Sequence, residues 1–191
     1  RCYATEAVPY KAVDGVVDSL GRFLAMLTED ELQPLLPAHF GELALLFPTL
    51  RRVPAIDALG AQTVQLPDPI ERRRRAFGAL RALLRRLTED RLVVLFVDDL
   101  QWGDVDSALA ITQLIQTPDA PPVLWVGTYR SDEAKTSSFL RALRSLNPTL
   151  EQGIEVGALS TEDASALVSA LLRLAPDNAR MRQIALDAAG S

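Results

Sequence analysis

The chain has 191 residues, 48% hydrophobic and 24% charged, with a net charge of −5. This composition belongs to a packed globular protein rather than a disordered one, and its acidic balance gives no general attraction to nucleic acid or anionic lipid. The longest clean apolar run, Leu92 to Val97, is too short to cross a bilayer, no signal-peptide pattern is present, and the lone Cys2 excludes an internal disulfide framework, so the cytoplasm is the expected compartment.

From Val13 to Leu27 the apolar residues Val13, Val16, Val17, Leu20, Phe23, Leu24 and Leu27 recur at helical spacing. Thr28 with Glu31 fits a capping box for a second, short helix before Pro34 and Pro37 interrupt. The proline-rich stretch from Gln33 to Pro69 reads as short helical pieces and loops lying over a core. Ile70 to Leu87 is predicted as a long helix whose apolar face is Ala76, Phe77, Leu80, Leu83, Leu84 and Leu87. Arg72 to Arg75, Arg81, Arg85 and Arg86 fill much of the remainder, and this run reads as a solvated helix face rather than a nucleic-acid patch.

Leu92 to Val97 carries no polar alternation, the pattern of a strand buried on both faces of a parallel sheet. An amphipathic helix over Asp106 to Gln116 leads to a second buried strand, Val123 to Thr128, with Trp125 in the core. A helix is expected over Ser138 to Leu146, a weaker third strand over Gly153 to Val156, and a helix from Ser160 with Asp163 to about Leu174. A last helix starts at Asp177 and ends near Gly190. Strand and helix alternate, which implies right-handed crossovers, a parallel sheet and an α/β fold. Arg1 in place of methionine, and the Ala189-Gly190-Ser191 end, read as cuts from something longer.

The chemistry is expected where the first strand ends in Asp98-Asp99, because ligands of open parallel sheets bind outside the carboxyl ends of the strands. Two carboxylates after six apolar residues are costly to desolvate without a cation, and hydrated magnesium bridging to nucleotide phosphates supplies one. This is the pattern of a Walker B motif; the alternative is that both acids cap the following turn. The second strand ends in Gly127-Thr128-Tyr129-Arg130, and parallel pairing brings Arg130 to the same sheet edge. Its guanidinium fits a contact to a terminal phosphate, and on spacing alone it fits an ion pair with Asp132 or Glu133 equally well. His39, the only histidine, has no Cys or His cluster near it to form a zinc site.

"LVVLFVDDLQWGDVDS" followed by "PPVLWVGTYRSDE" resembles the bacterial STAND branch of AAA-type P-loop ATPases, and in particular the ATPase modules of large regulators fused to a serine/threonine protein kinase or a transcriptional output domain. "RCYATEAVPYKAVDGVVDSL" is similar to the segment after the second core strand of those proteins, and "IEVGALSTEDASALV" to the last core strand passing into a helical lid. The resemblance implies an ASCE-type three-layer core over residues 1–158 and the beginning of a helical lid over 159–191. It implies ATP and magnesium as cofactors, other domains of the same polypeptide as partners, and no membrane or direct nucleic-acid contact. Carried onto this chain, it makes Asp98 the magnesium residue and gives Asp99 the attacking water, a position at which many relatives in the wider class carry glutamate; the shorter side chain suits a slow switch. Gln101, Trp102 and Thr128 fall at the nucleotide loop and Arg130 at the sensor position, although a packing role suits Trp102 equally.

The phosphate-cradling pattern G-x-x-x-x-G-K-[ST] is missing. Only two lysines are present: Lys11 lies in Tyr10-Lys11-Ala12, and Lys135-Thr136 is preceded by Ala134 with no glycine upstream at the right spacing. In the family this loop precedes the position of Arg1. The first core strand it follows would lie between the Arg130 strand and Gly153–Val156. Without it, those two strands are expected either to pair directly or to leave the last one detached.

Overall fold

The computed structural model describes residues 2, 9–63, 67–115, 118, 120–148 and 152–172. The chain divides into two compact units, Arg1–Glu151 and Gln152–Ser191. In the first, α1 (Lys11–Leu24) buries Val13, Val16, Val17, Leu20 and Leu24 along one face, as the spacing predicts. α2 (Glu29–Leu32) begins where the Glu31 carboxylate accepts hydrogen bonds from the amide and hydroxyl of Thr28. The proline-rich stretch then forms α3 (Phe40–Leu46) and α4 (Pro54–Gln62), with short 3-10 turns at Gln33–Leu35 and Pro48–Arg52. Pro34, Pro48 and Pro54 stand at the starts of their pieces, where no intrahelical amide bond is lost.

α5 (Pro69–Leu87) starts with the Asp68 carboxylate accepting from the Ile70 amide and buries all six predicted apolar residues together with Ala79. Phe77 meets Tyr10 and Phe47 in a three-ring cluster, its centroid 5.3 Å from that of Tyr10, which locks the start of α1 and the end of α3 onto α5. On the arginine-rich side, Arg74 and Arg75 both turn back to Glu71, and Arg73 lies 3.6 Å from Asp106.

β1 (Val94–Val97) and β2 (Leu124–Gly127) pair in parallel, Val94 opposite Leu124 and Val97 opposite Gly127. α6 (Val105–Ile115) connects them and packs on α1, α5 and α7 (Ser138–Leu146); α7 is capped by the Ser137 hydroxyl. Helices with a small parallel sheet make this an α/β fold.

The strands depart from the sequence expectation in one respect. Neither is buried on both faces: Leu95 and Val97 point inward, while Val94 and Phe96 are 49% and 58% exposed, joined by exposed Leu124 and Val126. Helices of this unit pack on the face carrying Leu95 and Val97, and the side chains of the opposite face are exposed. Trp125, expected in the core, is only partly buried, and its Nε1 is enclosed without a hydrogen-bond partner among the described residues.

In the second unit, α8 (Thr161–Leu172) begins at Ser160, whose Oγ accepts from the Asp163 amide and donates to its carboxylate. The expected third strand is corrected: residues 153–156 join no ladder, and Ile154 is 91% exposed. A strand exists only where its backbone groups find a partner, and among the described residues this segment has none. The helix expected from Asp177 lies outside the described residues. No helix among the described residues is long and apolar enough to cross a membrane.

Gly78 sits inside α5 with open space where a Cβ would stand. Gly78→Ala is therefore expected to raise stability by about 0.5–1 kcal/mol, read from the midpoint of urea unfolding. A loss of stability would show that this space is filled in solution.

Candidate functional site

The β1–β2 register carries on past both strand ends. The Thr128 amide donates to the Val97 carbonyl at 3.0 Å, and the Leu100 amide donates to the Thr128 carbonyl at 2.8 Å. The glycine at position 127 makes room for the Leu100 side chain: a Cβ there would lie 2.2 Å from Cδ1 of Leu100. The register sets Thr128 against the acid pair. Its hydroxyl donates to Asp98 Oδ1 and accepts from the Asp99 amide, so one side chain just past β2 holds the Asp98 carboxylate and the Asp99 main chain.

Asp99 adopts the left-handed conformation, φ 60° and ψ 44°, which costs a non-glycine residue about 1 kcal/mol. This turn starts the 3-10 segment Leu100–Trp102 and brings Gln101 back toward the acid. Gln101 Nε2 donates to Asp99 Oδ1 at 3.1 Å, and Gln101 Oε1 accepts from the Arg130 amide at 3.2 Å. The Arg130 guanidinium lies on Asp132, Nη2 to Oδ2 at 3.0 Å, with Glu133 at 3.7 Å. Trp102 Nε1 donates to the same Glu133 at 3.0 Å. The hydrogen bond it donates to Asp132 holds the Arg130 pKa above its ordinary value, with smaller contributions from the charges of Asp132, Glu133 and Asp99; the Asp132 pKa is held below its own value by the same bond.

All six residues singled out in the sequence thus meet at one end of the two-stranded sheet. Thr128 touches both acids, Gln101 bridges Asp99 to Arg130, and Trp102 reaches the site through Glu133. Of the two readings of Arg130, the ion pair is the arrangement present. An open cavity of about 270 Å³ adjoins the site, lined by Gln101, Trp102, Gly103, Glu133, Thr136 and two serines. A larger one, about 470 Å³, lies beside His39, Glu42 and Arg75 and shares no residue with it.

The donor set at the strand ends, two carboxylates and a hydroxyl, is all oxygen and suits a hard divalent cation. Among the described residues no group of three or more His, Cys, Asp or Glu gathers to cage a metal. Magnesium fits such a sparse site, since it keeps several waters and takes further ligands from phosphates.

Asp104 went unnoticed in the sequence. It accepts from the Tyr10 and Lys11 amides at 3.2 and 2.7 Å and from the Ser107 amide and hydroxyl at 2.8 and 2.7 Å. One carboxylate therefore caps both α1 and α6, and Ser107 Oγ also accepts from the Ala12 amide. Asp104 with Ser107 three positions on is a readable cap for α6; the second helix is 94 positions away in the chain and could not be read. Cys2, buried, donates its amide to the Asp98 carbonyl at 3.0 Å. Since the Val93 and Val97 carbonyls face β2, this bond lies on the opposite edge of β1.

Burial alone would raise the Asp104 carboxyl, but the hydrogen bonds from Ser107, Lys11 and Tyr10 outweigh it and leave the group below its ordinary value. A carboxyl depressed by folding stabilises fully above the ordinary aspartate range and loses that contribution as the pH falls through its lowered value. Asp104→Ala is expected to cost about 2 kcal/mol near pH 7 in urea unfolding, with the gap to the wild type narrowing in acid. A cost under about 0.5 kcal/mol, or one independent of pH, would contradict the double cap.

Residues 1–126 match the family model of the AAA ATPase domain. No curated protein and no solved structure matches the chain significantly. The family match ends inside β2 and spans the Asp98-Asp99 strand end, the Gln101 bridge and the Asp104 cap, so the chain belongs to the AAA ATPase domain family.

Proposed function

We propose that the chain is the ATP-binding, slowly hydrolysing switch module of a multidomain bacterial signalling regulator of the STAND type, working in the cytoplasm beside a kinase or output domain. The observation that carries this reading is the extension of the β1–β2 register past Gly127, which brings Asp98, Asp99, Thr128 and Arg130 to one sheet end. In this reading residues 1–158 form most of the P-loop core and 159–191 begin the lid.

Asp98 would hold magnesium through water, its carboxylate oriented by the Thr128 hydroxyl, and the ion would neutralise charge on the phosphates. Asp99 orients the attacking water, Gln101 and Trp102 shape the loop beside the phosphates, and Arg130 exchanges Asp132 for the terminal phosphate. An aspartate at position 99 reaches less far than a glutamate, which favours slow turnover. The phosphate cradle would come from residues ahead of Arg1. Support for this is the apolar sheet face of Val94, Phe96, Leu124 and Val126, which an added helix would cover. The same bare face favours a second reading, an interaction scaffold that has lost nucleotide binding.

Titration calorimetry separates the two. The chain itself is expected to bind magnesium–ATP no more tightly than millimolar. A polypeptide with a phosphate loop ahead of Arg1 binds it, and Asp98→Ala there lowers the magnesium-dependent affinity by about tenfold or more. Micromolar binding by the chain alone, or affinity indifferent to Asp98→Ala, would overturn the proposal.

A further inference from the structure

Gln101 is only 6% exposed, yet it is a polar side chain in a loop where an apolar one would pack without desolvation cost. Both ends of its carboxamide are committed. The Arg130 amide can only donate and the Asp99 carboxylate can only accept, so Oε1 must face the former and Nε2 the latter. The location gives this bridge its meaning. The last main-chain bond across the pair, just past the ladder, is from the Leu100 amide to the Thr128 carbonyl; beyond it, the Gln101 side chain ties the Arg130 main chain across to the acid loop. The Arg130 guanidinium, meanwhile, is held by Asp132 and Glu133 on its own side.

We propose that Gln101 is a positioning residue that couples the orientation of the Asp99 carboxylate to the turn carrying Arg130. This rests on the reading of Asp99 and Arg130 as the water-orienting and phosphate-sensing residues, and it gives Gln101 a different task from the nucleotide contact expected of it. Asp99 and Arg130 share Gln101 as their intermediary. When the Asp99 carboxylate turns toward another donor, Nε2 loses its acceptor, the carboxamide is free to rotate, and the Arg130 amide loses its tether. The turn is then free to carry the guanidinium away from Asp132. In the reverse direction, a ligand that draws Arg130 away loosens the hold on Asp99, since such coupling is reciprocal.

The test is hydrogen exchange of the Arg130 amide, followed by NMR on the chain without nucleotide, so its result stands apart from whether ATP binds. Gln101→Met keeps the side-chain length and removes both bonds; it is expected to speed Arg130 exchange about tenfold while the amides of the β1–β2 ladder stay as they are. Asp99→Gly tolerates the left-handed backbone and removes the acceptor, and it is expected to speed Arg130 exchange several-fold although Asp99 makes no bond to that amide. Asp99→Asn tolerates the same backbone and keeps an acceptor oxygen, so it retains wild-type protection. In the Gln101→Met background, Asp99→Gly adds nothing further at Arg130. Unchanged Arg130 exchange in Asp99→Gly, additive effects in the double variant, or a general loss of protection along the ladder would each overturn the coupling. Should Gln101→Met fail to fold, the contrast between Asp99→Gly and Asp99→Asn decides alone.

Discussion

The candidate site of this chain depends on a parallel strand pairing that does not stop where the strands stop. Two hydrogen bonds beyond the regular ladder, from Thr128 to Val97 and from Leu100 to Thr128, hold the loops after β1 and β2 in register. That register decides which side chains meet. It sets a threonine hydroxyl against the Asp98 carboxylate and the Asp99 amide, and places the Arg130 amide within reach of Gln101. The glycine at 127 leaves room for the Leu100 side chain, whose Cδ1 a Cβ there would displace.

Around this pairing the helices act as a frame. Asp104 stands five positions beyond Asp99 and caps both α1 and α6, so the loop that carries the acids is anchored at its far end to two helix N-termini. Anchored in this way, the loop can sustain a left-handed residue at Asp99, a conformation that a free loop would relax. At the rim Arg130 faces Asp132 and Glu133, and Glu133 also takes the indole N–H of Trp102. A guanidinium held by exposed carboxylates is held weakly, because solvent screens the pair, and so it can be exchanged for another anion.

Much of this was legible in the sequence, for identifiable physical reasons. α5 follows from the helical spacing of its apolar residues, and the acid pair follows from its place at the end of an apolar run; the caps Asp68 and Ser137 are seen only in the structure. The strands' burial was not legible, because an apolar run records what a residue tolerates on each face and not what covers it. Val94 and Phe96 read as core and stand exposed. The segment Gly153–Val156 has strand-like residues, but pairing depends on a neighbour that local sequence does not reveal. Asp104 was missed because half of its role lies at Tyr10 and Lys11, far away in the chain, and the Gln101 bridge because a glutamine in a loop carries no spacing signal.

The central question is whether the acid pair is where a metal–nucleotide complex sits. Manganese can stand in for magnesium, and its unpaired electrons broaden the NMR signals of amides close to it. Added with ATP to a polypeptide that supplies the phosphate loop ahead of Arg1, it should first broaden the amides of Asp98, Asp99 and Thr128 and spare those beside His39 and Glu42. Broadening that begins elsewhere, or that leaves those three amides sharp, would contradict the assignment of this strand end as the ATPase centre.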